Sequence, residues 1–174
     1  MVDLRSQYLD IREEVLAAFD EALSGMQLNL GPNVQAFERE WAEFTGMKHC
    51  LACNSGTASL HLCIAAAEVG PGDEVIVPSF SFIATANAPL FVGAKPVFAD
   101  IEEETLGLSV ESVLEKIGPK TKAVMPMHYG GGFSRDVMAL KEICEDKGIL
   151  LIEDAAESLG AKKDGIYAVS YTHL

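Results

Sequence analysis

The chain has 174 residues, 49% of them apolar, and carries a formal net charge of −13. A chain of this length can bury one substantial core, whereas its negative charge disfavours binding to nucleic acid or to an anionic membrane. No apolar run approaches the about 20 residues that span a bilayer, and the first residues lack the apolar segment of a secretory signal. We therefore expect a cytoplasmic protein.

Residues 1–47 predict two amphipathic helices, because apolar side chains recur at helical spacing before and after Gly31-Pro32. Asn33 is the expected N-cap of the second helix, and Gly46 is its expected end. The apolar positions are Tyr8, Ile11, Val15, Phe19 and Ala22 in the first helix and Val34, Phe37, Trp41 and Phe44 in the second.

Residues 48–168 alternate between short apolar runs and helical stretches, with small or turn-forming residues between them. This alternation predicts an α/β fold of three layers, in which a mostly parallel sheet has helices on both faces. Lys163-Asp164-Gly165 then predicts the turn of a hairpin. Helices are expected at 56–68, at 110–117 after Ser109 and at 135–147 after Ser134, and strands at 49–53, 74–77, 95–99, 121–127 and 149–153.

Residues 54–58 follow the first predicted strand and open the next helix. The backbone N–H groups of this segment and a threonine hydroxyl would face solvent at the positive end of the helix dipole, which suits a phosphate group. A serine or threonine before a helix is most often only a cap. The position at a strand end, where ligands bind in parallel sheets, favours the phosphate site.

Asp154 follows the last predicted strand, and Glu153 points to the opposite face of the sheet. A carboxylate at a buried sheet edge needs a cation or hydrogen bonds, because an unpaired buried charge is costly. A protonated pyridine nitrogen would satisfy it and would make the pyridine ring a strong electron sink. Capping of the turn at Ala155-Ala156 explains the residue equally well.

Other strand ends carry aromatic and polar side chains that could contact a planar ligand. Phe80 and Phe82 follow strand 74–77, and either could stack on a heteroaromatic ring or pack into the core. His128 follows the fourth predicted strand, as a site residue or as a hydrogen-bonded structural histidine. Gly130-Gly131-Gly132 next to it would let the backbone approach a ligand closely, or would form a plain flexible turn.

Several common motifs are missing from the sequence. GxGxxG, the Walker A motif, GxSxG and HExxH do not occur, and we predict no metal site. Residues 50–53 spell CxxC, but in a predicted strand residues three apart point to opposite faces and could not bind one metal together. We interpret the cysteines as small core residues in a reducing compartment. They are Cys50, Cys53, Cys63 and Cys144.

The chain resembles the DegT/StrS family of pyridoxal-phosphate-dependent sugar aminotransferases from its start to about Ala168. Several segments occur in the order and spacing of that family, and their combination is far more specific than any one of them. The segments are Val2-Asp3-Leu4 with Tyr8, Leu30-Gly31-Pro32 with Phe37-Glu38, Asn54-Ser55-Gly56-Thr57, GPGDEVI at 70–76, PSFSFIATAN at 78–87, GAKPVF at 93–98 and IEDAAE at 152–157.

The resemblance implies the large domain of a type I pyridoxal-phosphate transferase, incomplete because the small C-terminal domain is absent. It also implies a set of contacts with pyridoxal 5'-phosphate. These are phosphate binding by Gly56, Thr57 and Ala58, ring stacking by Phe82, pairing of the ring nitrogen with Asp154, a hydrogen bond from the ring hydroxyl to Glu157, and lining of the pocket by His128.

By the same resemblance, the reaction transfers an amino group from glutamate or glutamine to a keto group on a nucleotide-linked sugar or a cyclitol, in a homodimer. The family's Schiff-base lysine lies about thirty residues beyond the aspartate of the ring nitrogen, which passes Leu174. Lys162 and Lys163 come too early to be that residue. No catalytic residue is therefore assigned, and we expect this chain alone not to turn over substrate.

Residues 169–174 depart from the family pattern, which continues after Tyr167-Ala168 with glycine and then serine or threonine. We expect an artefactual end to the chain. A sheet cut at this point would leave an open strand edge and apolar surface, so we also expect poor solubility or association.

Two alternative functions stay open at this level. One is a dehydratase of the same family, in which histidine replaces the lysine. The other is a non-catalytic binding or regulatory module. The residue at the lysine position decides the first, and a measurement of cofactor binding decides the second.

Overall fold

The computed structural model of the chain describes residues 3–169. Val2 of the first family segment and residues 170–174 of the expected atypical end lie outside the described residues. The chain divides into two compact units, one up to Ala52 and one from Cys53 onward. Within residues 3–169, no helix is both long enough and apolar enough to cross a membrane.

The first unit contains the two helices that the sequence predicts, α1 (Leu4–Ser24) and α2 (Pro32–Thr45). The Asp3 side chain caps α1 by accepting hydrogen bonds from two backbone N–H groups. Gly46 ends α2 in the left-handed conformation, as predicted. The predicted N-cap Asn33 is wrong: Gly31 takes that position, because Pro32 has the fixed φ and the missing N–H that suit the first helical residue.

The strand predicted at 49–53 does not form. The backbone N–H of Ala52 instead donates to the Glu38 side chain of α2, at 2.8 Å. A strand needs the N–H and C=O groups of a neighbouring strand, and a side-chain acceptor takes that place here. The prediction from apolar character alone was therefore wrong for this segment.

The second unit is built on a parallel sheet of four strands in the order β2-β1-β3-β4. The register aligns Glu74 with Lys95 and Ala123 with Leu150. The β3–β4 pairing continues past Pro126 to a bridge between Met127 and Asp154. The strands are β1 (Glu74–Pro78), β2 (Lys95–Ala99), β3 (Thr121–Val124) and β4 (Leu150–Leu151).

Helices cover both faces of this sheet, so the predicted three-layer fold is confirmed. One core joins Val75, Val77 and Met125 to apolar side chains of α3 and α4. The other joins Ile76 and Val124 to α5 and α6. Neighbouring residues of one strand thus enter opposite cores, as the period of two requires. The helices are α3 (Gly56–Ala66), α4 (Ile83–Phe91), α5 (Val110–Lys116) and α6 (Val137–Lys147).

Two further predictions for this unit had different outcomes. The predicted hairpin is present as β5 (Lys162–Lys163) and β6 (Ile166–Tyr167), which pair antiparallel. Helix α6 begins at Val137, two residues after its predicted start at Arg135, and the backbone N–H of Ser134 donates to the His128 ring.

The cysteines do not all pack as core residues. Cys144 is buried, and burial raises the pKa of its thiol to about 11. Burial, followed by the neighbouring Cys53, also raises the pKa of Cys63. Cys53 itself is exposed, so the prediction of a core position is wrong for this residue.

We expect substitution of Val169 by glycine to raise the free energy of unfolding. Val169 has φ of 66°, a left-handed conformation that costs a branched side chain about 1–2 kcal/mol and glycine almost nothing. The greater freedom of glycine in the unfolded chain offsets part of this, so we expect a gain of up to about 1 kcal/mol in urea denaturation. The control is Val110→Gly, at a half-buried valine of α5 with ordinary φ, and it should be destabilising. A V169G protein less stable than the wild type would show that the backbone of Val169 is not strained.

Candidate active site

The candidate site lies at the carboxyl edge of the sheet, between β1 and β3. The chain runs from β1 outward to β2 and then returns to β3 on the other side, so this is the point where the strand order reverses. Crevices at such points are the usual ligand sites of parallel sheets. Ser81 Oγ lies 2.9 Å from the sulfur of Met127, and this contact joins the segments that leave the two strands.

Asp154 is the buried charge of this edge, with 2% of its surface exposed. Backbone bonds fix it on both sides: its N–H donates to Pro126 and its C=O accepts from His128, both at 2.9 Å. Its Oδ1 accepts from the N–H of Ala156 at 3.2 Å, so the turn-capping interpretation is correct for this oxygen.

The second oxygen of Asp154, Oδ2, accepts a hydrogen bond of 2.6 Å from the hydroxyl of Thr85. None of the ion pairs among residues 3–169 involves Asp154. A carboxylate has about four acceptor positions, and the two neutral donors leave room for a cationic N–H. The arrangement therefore fits a protonated ring nitrogen.

Thr85 is the site residue that the sequence analysis missed. It lies in α4 and is completely buried, and it also contacts the hydroxyl of Ser81 at 2.6 Å. Its hydroxyl is 69 positions away from Asp154 in the sequence. No local pattern links the two residues, although a threonine inside the apolar stretch 83–91 is a polar group that needs a partner.

The amino end of α3 presents open backbone donors. Ser55 caps the helix, and its Oγ accepts from the N–H of Ala58 at 3.2 Å. Within the described residues, nothing accepts from the N–H groups of Gly56 and Thr57. Of the three predicted phosphate-binding positions, two thus have free N–H groups at the positive end of a helix, and the third N–H is used by the cap.

Gly56 connects this helix end to the Asp154 segment. A Cβ atom on Gly56 would lie 2.9 Å from the Cβ of Ala156, closer than two carbon atoms can approach. Ala156 is also the residue whose N–H binds Asp154. The amino end of α3 therefore packs against the segment that follows Asp154.

Phe82 is the residue just before α4, and 58% of its surface is exposed. It lies three positions before Thr85, whose hydroxyl binds Asp154. Phe80 is exposed as well, and its ring lies 4.7 Å from the ring of Tyr129, between centroids. Phe82 is thus available to a ligand, whereas Phe80 already has an aromatic partner.

Glu157 is exposed and extends the Asp154 segment. Its Oε2 accepts from the backbone N–H of Gly130 at 2.9 Å. Gly130 has φ of 63°, which glycine adopts without strain, so the turn after β3 can approach the carboxylate closely. The other carboxylate oxygen is available to a ligand.

His128 is buried completely and is not exposed at the site. Its Nδ1 accepts from the N–H of Ser134 at 3.0 Å, and its Nε2 contacts Glu153 at 2.9 Å. The bond from Ser134 makes Nδ1 the acceptor, so Nε2 carries the hydrogen and donates to Glu153. The structural interpretation of this histidine is therefore correct, and the pocket-lining prediction finds no support in the described residues.

The lysines of the hairpin have partners of their own. Lys163 donates to the C=O of Arg135 at 3.2 Å, and the Lys162 ammonium lies 4.5 Å from the centre of the Tyr167 ring. Neither contacts Asp154. Across residues 3–169, no group of three or more histidine, cysteine or acidic side chains is arranged to hold a metal ion.

Comparison with known proteins finds relatives whose sequences are similar to this chain over most of its length. An enzyme of Acidithiobacillus ferrooxidans named UDP-N-acetyl-3-dehydro-alpha-D-glucosamine 3-aminotransferase is 40% identical over 165 residues. The match covers 95% of this chain and 44% of that relative. The chain thus spans less than half the length of this relative.

Solved structures agree with the fold. S. venezuelae DesV, solved in complex with a ketimine intermediate, superposes with a TM-score of 0.91 and 36% identity, over 95% of this chain and 44% of that one. NtdA of Bacillus subtilis, solved with bound cofactor PMP, superposes with a TM-score of 0.85 and 33% identity. This match covers 91% of this chain and 36% of that one. The model of the DegT/DnrJ/EryC1/StrS aminotransferase family matches residues 9–172. The chain therefore belongs to this family.

Proposed function

We propose that the described site binds pyridoxal 5'-phosphate and that the protein is an aminotransferase acting on a nucleotide-linked keto sugar, with glutamate or glutamine as the amino donor. The observation that carries this proposal is Asp154, a buried carboxylate whose hydrogen-bond donors are both neutral. When bound, the cofactor supplies an electron-withdrawing ring that acts as an electron sink at the reacting carbon.

Asp154 would hold a proton on the ring nitrogen. A buried negative charge stabilises a neighbouring positive one more strongly than water does, because the local dielectric is low. The bonds to Pro126 and His128 fix the backbone of Asp154, and the bonds from Thr85 and Ala156 hold its carboxylate. The role of this residue would thus be electrostatic and would need no movement during the reaction.

The phosphate would bind at the amino end of α3. The free N–H groups of Gly56 and Thr57 are donors at the positive end of the helix dipole, where a doubly charged anion is favoured. The N–H of Ala58 already donates to Ser55. Ala58 would therefore contribute only through its position in the first turn of the helix.

The ring would lie between these two ends. Phe82, exposed beside α4, would cover one face of it, a contact worth about 0.5–1.5 kcal/mol beyond the buried area. The free oxygen of Glu157 would accept a hydrogen bond from the ring hydroxyl. Gly130 would fix this carboxylate in position through its N–H.

The reaction needs a lysine that moves a proton between cofactor and substrate, and no described lysine contacts Asp154. We propose that this lysine lies about thirty positions beyond Asp154. Homologues named as sugar aminotransferases support the sugar as acceptor. A cytoplasmic location and a homodimer stay predictions.

Replacement of Asp154 by asparagine should weaken the binding of pyridoxamine 5'-phosphate by about 10- to 100-fold, the value of a hydrogen bond to a charged group. Asparagine keeps the shape: its oxygen can accept from the N–H of Ala156 and its NH2 group can donate to the Thr85 hydroxyl, so the change removes mainly the charge. Isothermal titration calorimetry of the protein with this ligand measures the effect. The aldehyde-free ligand avoids adducts with surface lysines.

Asp100→Asn is the matched control for this experiment. Asp100 is an exposed aspartate just after β2, and its backbone N–H binds Ser112. Its substitution should leave the dissociation constant unchanged. Equal dissociation constants for the D154N and wild-type proteins would refute the pairing of Asp154 with the ring nitrogen.

Replacement of Gly56 by alanine should destabilise the protein by about 1–3 kcal/mol, because the new methyl group has no room against Ala156. The same variant should bind pyridoxamine 5'-phosphate more weakly, since the shift moves the N–H groups of α3 away from the phosphate. Urea denaturation and calorimetry measure the two effects.

The second variant in this test is the double substitution G56A/A156G, which removes the opposing methyl group and should restore most of the stability. Gly118→Ala is the control, because a Cβ on Gly118 meets nothing within 4 Å. If G56A alone were as stable as the wild type, the close contact between α3 and the Asp154 segment would be wrong.

A further inference from the structure

Two side chains, those of Thr85 and Ser81, connect Asp154 to the sulfur of Met127. Thr85 Oγ1 lies 2.6 Å from Asp154 Oδ2, and Ser81 Oγ lies 2.6 Å from Thr85 Oγ1 and 2.9 Å from Met127 Sδ. Thr85 is completely buried and Ser81 is half-buried, so water does not compete for these bonds at Thr85. The hydroxyls of Thr85 and Ser81 thus form a continuous chain of polar contacts from Asp154 to Met127, which we call the relay.

The relay can point in two directions, because each hydroxyl has a single hydrogen. If Asp154 is a carboxylate, Ser81 donates to Thr85 and Thr85 donates to the charged oxygen. If Asp154 is a neutral acid, its proton goes to Thr85, Thr85 donates to Ser81, and Ser81 is left with the sulfur of Met127.

The two directions differ in strength. The first ends on an ionised oxygen, and hydrogen bonds to charged groups are roughly twice as strong as neutral ones. The second ends on a thioether, which is a weak acceptor. Because the relay ends on a sulfur, its hydrogen bonds stabilise the neutral form of Asp154 less than they stabilise the carboxylate form.

We propose that Thr85 and Ser81 are positioning residues that hold Asp154 as a carboxylate aimed at the ring nitrogen of the cofactor. This inference rests on the proposed function, because it needs the ring nitrogen as the partner of Asp154. Thr85 is completely buried, so its hydroxyl would not touch the ligand. Both hydroxyls act through Asp154, so their effect should depend on the presence of the ring nitrogen.

The test compares two ligands in calorimetry: pyridoxamine 5'-phosphate and its 1-deaza analogue, in which a C–H group replaces the ring nitrogen. The wild-type protein should prefer the nitrogen compound. Thr85→Val keeps the shape and removes the hydroxyl, and should lower the affinity for the nitrogen compound about tenfold while leaving the deaza analogue unchanged. Thr85→Ser should retain the preference.

Thr45→Val is the matched control, since Thr45 is also a buried threonine and its hydroxyl binds the C=O of Trp41 at 2.8 Å. It should not change the preference between the ligands. Ser81→Ala should lower the preference in the same direction as Thr85→Val, and it serves as the measurement if the valine variant fails to fold.

The outcomes separate this inference from the proposed function. Equal losses of affinity for both ligands in the valine variant, or an unchanged preference in it, would overturn the relay. If D154N then still abolished the preference, the proposed function would stand without the relay. A wild-type protein that binds both ligands equally, or neither, would overturn both.

Discussion

The site depends on one constraint, a carboxylate that is buried without a positive partner among the described residues. The backbone of Asp154 bonds to Pro126 and His128 in the segment that follows β3, and its carboxylate is held by Thr85 and Ala156. Its two donors, Thr85 and the N–H of Ala156, are neutral. Since an unpaired charge in a protein interior is costly, a cation that the described residues do not provide would stabilise this edge of the sheet.

Asp154 and Glu153 are neighbours whose side chains point to opposite faces of the sheet, where they have different roles. Asp154 faces α4 and the amino end of α3, where the open amides lie. Glu153, the residue before it, accepts from the His128 ring and from the N–H of Val169 on the other face. The second carboxylate thus ties together the chain segments that leave β3 and the hairpin. A change of register by one residue would exchange the two roles, so the pairing of Met127 with Asp154 sets the chemistry of both faces.

Local patterns were sufficient for the helices, for the strands at β1 and β2 and for the hairpin, because their apolar periodicity and turn residues act within a few positions. They failed where a distant group supplies the bonds. The segment 49–53 has the apolar character of a strand, yet Ala52 bonds to a glutamate of α2. Helix α6 was predicted to begin at Arg135, yet it begins at Val137, after the N–H of Ser134 has bonded to the His128 ring. In the site, strand ends identified Asp154, but Thr85 could be found only from the fold.

The proposed roles divide cofactor binding from covalent chemistry. Backbone amides at Gly56 and Thr57, the ring of Phe82 and the carboxylate of Asp154 would bind by hydrogen bonds, stacking and charge, and none of these contacts requires a lysine. They come from the start of α3, from the segment after β1 and from the segment after β4. The geometry of the bound ring would therefore be fixed before any covalent bond forms, and the lysine would add reactivity to a ligand that is already oriented.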